Sequence, residues 1–208
     1  MTQSRALRNP VETQAILDIA ARHFAQRGFA GARMEEIAME AGVNKATLYY
    51  RIGDKEKLYE TVISATMDAA LADVRLAMAE SSHPEKQLRD HIHILAHHID
   101  THPCFSSLIM RELAGGAENI SEPVLERMHE LRMLLATILQ HGVEQECFRP
   151  LNPFLIHVQI IGSLMLYVSG APLRQRIIKL KGNSDGIGNP LSEAAEELAD
   201  IVLHSVRR

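Results

Sequence analysis

Residues 33–52 read RMEEIAMEAGVNKATLYYRI, and their spacing predicts two short helices joined by a tight turn. Met34, Ile37, Ala38 and Ala41 fall on one face of a first helix, Met34 to Ala41. Gly42 suits a turn of positive φ, where a Cβ would be costly. Val43 is placed to plug the gap between the helices, and Asn44 is a good N-cap for a second helix, Lys45 to Arg51. Leu48 is the inward anchor of that helix. Lys45, Thr47, Tyr49, Tyr50 and Arg51 are left outside, and their cations and hydroxyls suit phosphates and base edges in a major groove. Small residue, glycine turn, apolar plug, polar cap and short second helix together make helix–turn–helix grammar. The candidate DNA-contact set is Arg33, Asn44, Lys45, Ala46, Thr47, Tyr49, Tyr50, Arg51 and Lys55.

Outward from this stretch the chain reads as helices punctuated by proline. A capping residue before proline recurs as Asn9-Pro10, Asn152-Pro153 and Asn189-Pro190, and more loosely as His83-Pro84. Proline fits a first helical turn because its missing amide would be unpaired there in any case. Between these signals apolar residues return at three and four. They do so as Ile16, Ile19, Ala20 and Phe24; as Val124, Met128, Leu131, Leu135 and Ile138; and as Leu191, Ala194, Ala195, Leu198, Ile201 and Val202. No period-two run survives, so the fold class is all-α. Asp54 caps a long helix from about Lys55 to Glu80, and Lys55 opposes that helix's dipole, a position an anionic partner would favour. The expected organisation is an N-terminal arm over 1–10, a helix–turn–helix head over 11–57 and a helical body over 58–208. The 181–188 loop isolates the last helix.

With 208 residues the chain can bury roughly 70% of its unfolded surface without staples. Two cysteines cannot make a disulfide framework and suggest a reducing compartment. The net charge of −4 excludes a wholly basic nucleic-acid coat. It is unevenly spread: residues 1–57 carry nine Lys and Arg against seven Asp and Glu, and the rest carries thirteen against nineteen. MTQSRALRNP has no apolar core of a targeting segment, and a cytoplasmic location is expected. The uncharged run from Pro150 to Leu173 is long enough to span a bilayer, but its Asn, Pro, His, Gln and Ser make a buried helix the better reading, with no membrane partner. Gly115-Gly116 lacks the Lys and Ser or Thr of a phosphate loop. G-x-S-x-G and H-E-x-x-H are absent, so no catalytic residue, metal or cofactor is assigned.

The segment GFAGARMEEIAMEAGVNKATLYYRIGDKEKLYETV, residues 28–62, resembles the DNA-binding head of the TetR family of bacterial repressors. The resemblance rests on Ala41-Gly42-Val43, Thr47-Leu48-Tyr49 and Lys55-Glu56-Lys57-Leu58 and covers about Val11 to Val62. Arg33 stands where the family usually has a capping Ser or Thr, so a cap is lost and a phosphate-binding cation gained. Ile52 replaces a frequent Phe. The resemblance implies a homodimer that reads a near-palindromic double-stranded operator and is released by a small-molecule effector. It also implies dimerisation through the last two body helices. Independently, the uncharged helix near 153–170 is too apolar to be wet and holds small residues, so Leu155, Gly162, Ser163, Leu166, Leu198, Ile201 and Val202 are the candidate interface. Packing of both helices inside one chain is the alternative.

The body supplies Met67, Leu71, His98, Phe105, Met110 and Met133 as candidate effector lining, pliable or polar-tipped. His98 is the chosen polar group because, with His91, it flanks the apolar face of RDHIHILAHHIDTHPC, residues 89–104. His93 and His97 fall on the opposite side. The same cluster leaves a second function class open: a metal- or redox-responsive helical protein using His91 to Cys104, with His98, His102 and Cys104 as ligands.

Overall fold

Ile16, Ala20 and Phe24 of one helix close on Ile37, Leu48 and Leu58 of three others, and all six side chains are buried. The elements are α1 (Pro10–Gly31), α2 (Met34–Glu40), α3 (Lys45–Arg51), α4 (Lys55–Glu80), α5 (Pro84–Thr101), α6 (Pro103–Ala114), α7 (Glu122–Glu144), α8 (Pro153–Ser169), α9 (Ala171–Lys181) and α10 (Leu191–Val206). This computed structural model describes residues 10–182 and 186–208, so Asn9, nearly all of the expected arm and the centre of the 181–188 loop lie outside the described residues. Among the described residues there is no strand, only an isolated antiparallel bridge between Phe148 and Arg207.

The head is α1 to α3 packed on the start of α4. In the body, α4, α5 and α7 pack on one another, α8 lies across α6 and α7, and α10 closes over α5 and α8. The head meets the body through α4 itself and through α1 against α6. Near that joint α1 breaks at Gly28, with φ 73° and ψ 174°. Arg111 of α6 lies where a Cβ of residue 28 would point, and its Nη2 donates to the Ala25 carbonyl at 3.1 Å. Beside the break, Phe24, Phe29 and Tyr59 pack edge to face and stacked, which suits the aromatic quadrupole. The Tyr59 hydroxyl donates to Glu112 Oε1 at 2.7 Å, a buried bond from α4 to α6.

The connection from α7 to α8 is locked by Phe148, whose ring lies against Gly142. The Phe148 amide donates to the Gly142 carbonyl at 2.9 Å, and the next amide, Arg149, donates to Val206 of α10 at 2.9 Å.

Three expectations need correcting. The sequence assigned no helix to the stretch after 170, but α9 occupies it, bent by 60° from α8, with Gly170 ending one helix and Pro172 opening the next. Proline at a first turn is as acceptable after a break as after a loop, so the uncharged run hid two helices. The last two helices in sequence are therefore not α8 and α10. Asn189-Pro190 does not cap α10 by side chain; Pro190 is itself the N-cap, and the Asn189 carbonyl accepts from Tyr167 Oη at 2.6 Å.

Candidate nucleic-acid interface and body cavity

Gly42 turns the chain at φ +67° with nothing within 4 Å of its missing Cβ, so its backbone freedom, not space, is what the position requires. The Val43 amide then donates to Ala38 at 3.0 Å, and the Asn44 side chain accepts from the Thr47 amide at 2.7 Å. That cap satisfies an orphan donor and fixes the start of α3. Leu48 is buried, while Asn44, Lys45, Ala46, Tyr49 and Tyr50 are exposed and Thr47 and Arg51 half-buried. Arg33 is exposed ahead of α2 and makes no cap, as the missing Ser or Thr implies. Lys45 pairs with Glu35 across the turn and lies 5.6 Å from the Tyr49 ring. Their hydrogen bond raises the Lys45 pKa and lowers that of Glu35. Both partners are exposed, so an acceptor on a base edge can replace the carboxylate at little cost.

Lys55 is placed differently from the expectation of an anionic partner at the start of α4. Its Nζ donates to the Ala30 carbonyl at 3.2 Å and stands 4.7 Å over the Phe29 ring, tying α4 to the end of α1.

The body holds a cavity of about 380 Å³ between α4, α5, α6, α7 and α8, open to the outside where the exposed Leu113, Phe154, Val158 and Gly162 border it. Of the expected lining, Met67, His98, Phe105 and Met110 border it. Leu71 is packed in the core beside it without bordering it, and Met133 is 43% exposed on the outer face of α7. Sequence spacing held the warning for Met133. It lies two residues from the buried Leu131, about 200° around the helix. The α8 wall, with Phe154, His157, Ile161 and Met165, was missed because the whole uncharged helix was assigned to the dimer. Thr66 and Phe105 border both this cavity and a more polar groove of about 690 Å³ between α1, α4 and α6 that holds Asp18, Arg22 and Cys104.

The histidine cluster forms no ligand set. Among the described residues no group of three His, Cys, Asp or Glu side chains could hold a metal ion. His98 Nε2 faces Asp73 Oδ2 at 2.8 Å, His102 Nδ1 bonds the His98 carbonyl at 3.0 Å, and burial pushes the Cys104 thiol up. A raised thiol is a poor thiolate, which removes the ground for a redox switch there. His97 is exposed as expected, whereas His93 is half-buried beside Glu196 on the side of α5 that α10 covers.

His91 is 1% exposed, and neither ring nitrogen has a partner. Burial, aided by His157, lowers its pKa from 6.5 to about 3. The folded chain therefore keeps the ring neutral while the unfolded chain protonates it. Stability from this group is complete above 6.5 and falls as pH drops towards about 3, by up to ~1.36 kcal/mol per pH unit. His91→Phe is expected to flatten that dependence and to hold or raise stability at neutral pH, because it removes two unpaired polar atoms. Urea titrations at about pH 7.5 and about pH 5 check this, and an undiminished dependence in the variant would contradict it.

The dimer expectation divides. Leu155, Gly162, Ser163 and Leu166 are exposed on α8, and Ile201 is exposed on α10. Leu198 and Val202 are instead buried in the single chain, where α10 packs on α5 and α8. An apolar stripe declares that a face is covered but not by what, and here the body covers it. Among the described residues no single helix is long and apolar enough to cross a membrane.

A family model described as "Bacterial regulatory proteins, tetR family" matches residues 16–62, and one described as "Tetracyclin repressor-like, C-terminal domain" matches 84–185. The chain is 28% identical over 205 residues to the HTH-type transcriptional regulator RutR of Escherichia coli K12, spanning 99% of this chain and 94% of that protein. It is 30% identical over 130 residues to the HTH-type transcriptional repressor NicS of Pseudomonas putida, spanning 53% and 60%. The fold is shared with the ketosteroid transcriptional regulator KstR2 of Mycobacterium tuberculosis, at TM-score 0.73 and 20% identity over 97% of each chain. The capped α3, the glycine turn before it and the two matched segments lead to one conclusion: the chain belongs to the TetR family of bacterial regulatory proteins.

Proposed function

We propose that the protein is a DNA-binding transcriptional repressor, not an enzyme, that works in the cytoplasm as a homodimer and leaves a palindromic operator when its body binds a small molecule. One observation carries this reading. The single helix α4 begins beside the recognition surface at Lys55 and, three turns later, supplies Thr66, Met67 and Ala70 to the cavity wall. An occupant that favours one setting of those residues favours one setting of the head. The names of RutR and NicS as transcriptional regulators support the class. AibR, a second relative in fold, is described in complex with isovaleryl coenzyme A and operator DNA, which supports two partners of these kinds. The proposed head spans about 11–57 and the proposed body 58–208.

The test is selection of DNA from a random pool by the purified protein, followed by anisotropy on the selected duplex. A palindromic site bound by two chains is expected, and selection of no sequence above background would reject the proposal. On that duplex Arg33→Ala should weaken binding to all sequences alike and make the salt dependence shallower by about one unit, with stability held within ~0.5 kcal/mol. Lys45→Ala should instead alter sequence preference, at roughly 1–3 kcal/mol for a lost base contact.

A further inference from the structure

We propose that the body cavity takes an uncharged lipophilic molecule carrying one hydroxyl, an alcohol or phenol, whose hydroxyl is received by His98 and His157. This rests on the effector reading above and gives it a chemical class. Apart from Thr66 and the two imidazoles, the lining is aliphatic, aromatic or thioether, with no Lys, Arg, Asp or Glu. A carboxylate or ammonium would lose its water there without gaining an opposite charge, which costs far more than a hydrogen bond returns.

The two histidines are the cavity's nitrogen-bearing side chains. His98 is buried, and its Nε2 faces the Asp73 carboxylate at 2.8 Å, so that nitrogen carries the hydrogen and donates it. Its Nδ1 is buried without a partner. A hydroxyl both donates and accepts, so it can partner that nitrogen. His157 also keeps a buried Nδ1 without a partner. Burial first, then Arg132, lowers its pKa, so it offers a hydrogen bond and no charge. At about 380 Å³ the cavity lies near the small end of ligand pockets, ~300–1,000 Å³. Met67, Met110, Met128 and Met165 give its wall room to adapt.

The experiment is calorimetric titration of the full chain with four probes on one skeleton: naphthol, naphthalene, naphthoate and naphthylmethylamine. Naphthol should bind about tenfold more tightly than naphthalene. Each charged probe should bind at least about a hundredfold more weakly than naphthol. His98→Phe and His157→Phe should close the gap between naphthol and naphthalene without abolishing naphthalene binding, whereas Met110→Trp should abolish both. The four-probe series on the unaltered chain decides the class even where a variant does not fold. Naphthoate binding as tightly as naphthol, or no binding by either neutral probe, overturns the proposal. Naphthol bound with operator affinity unchanged would uphold the ligand class and reject the effector reading.

Discussion

Gly142→Ala should lower the stability of the chain by about 3 kcal/mol, among the largest effects of any single methyl group added to this protein. A Cβ at 142 would overlap the ring of Phe148, which is itself 2% exposed. The ring has no easy retreat. Its own amide is bonded to the Gly142 carbonyl, and the following amide is bonded to Val206 of α10. Moving Phe148 therefore means opening the link between α7 and the C-terminal end of the fold. At roughly 2–4 °C per kcal/mol for a chain of this size, the melting temperature should drop by roughly 6–12 °C. Pairing the change with Phe148→Leu should recover part of the loss, because the smaller side chain vacates the overlap. A melting temperature for Gly142→Ala matching the unaltered chain would show that Phe148 can move freely.

Leu166→Glu should convert the protein to a monomer and reduce operator affinity by about a hundredfold or more, since two tethered heads bind far more tightly than one. Leu166 is 63% exposed on α8, and Leu155 on the same helix and Leu173 and Leu180 on α9 are similarly bare. A carboxylate in a face that a second copy covers would be buried without a partner, at about 3–5 kcal/mol. The same side chain faces solvent in the single chain, so the melting of the monomer itself should change little. Val202→Glu is the contrast. Val202 is fully buried against the body, and that variant should unfold. Sedimentation separates the two cases. A Leu166→Glu protein that remains dimeric would place the interface elsewhere.

The head was legible because its signals are local. Gly42, Asn44 and Leu48 each act within a few residues of where they stand, so turn, cap and anchor could be read in order. The long α4 followed from one N-cap and an uninterrupted pattern, and its bounds agree with the expectation of Lys55 to Glu80. The body was legible as helices but not as partners. The stripe of Leu198 and Val202 has the same spacing whether it meets α5 or another chain. His98 and Met110 reached the cavity, yet its α8 wall did not, because one uncharged helix presents two apolar faces and the sequence does not divide them. The seat of Phe148 on Gly142 joins a helix to a loop through a missing side chain, which leaves no periodic trace.

The clamp of Arg111 on α1 has a consequence for exchange of parts between relatives. Its acceptor is the Ala25 carbonyl, a main-chain atom that every residue type provides, and the cation sits at the end of a helical turn where the dipole favours it. In this clamp residue 28 is the constrained position on α1, since a Cβ there would meet Arg111 and positive φ already selects glycine. A head grafted from another regulator should therefore keep this clamp if it brings a glycine at that break, and dock fully if it also brings the aromatic pair that Tyr59 packs against. The clamp is keyed to backbone shape and lies away from the recognition helix, which is left free to diverge while this connection to the body is kept.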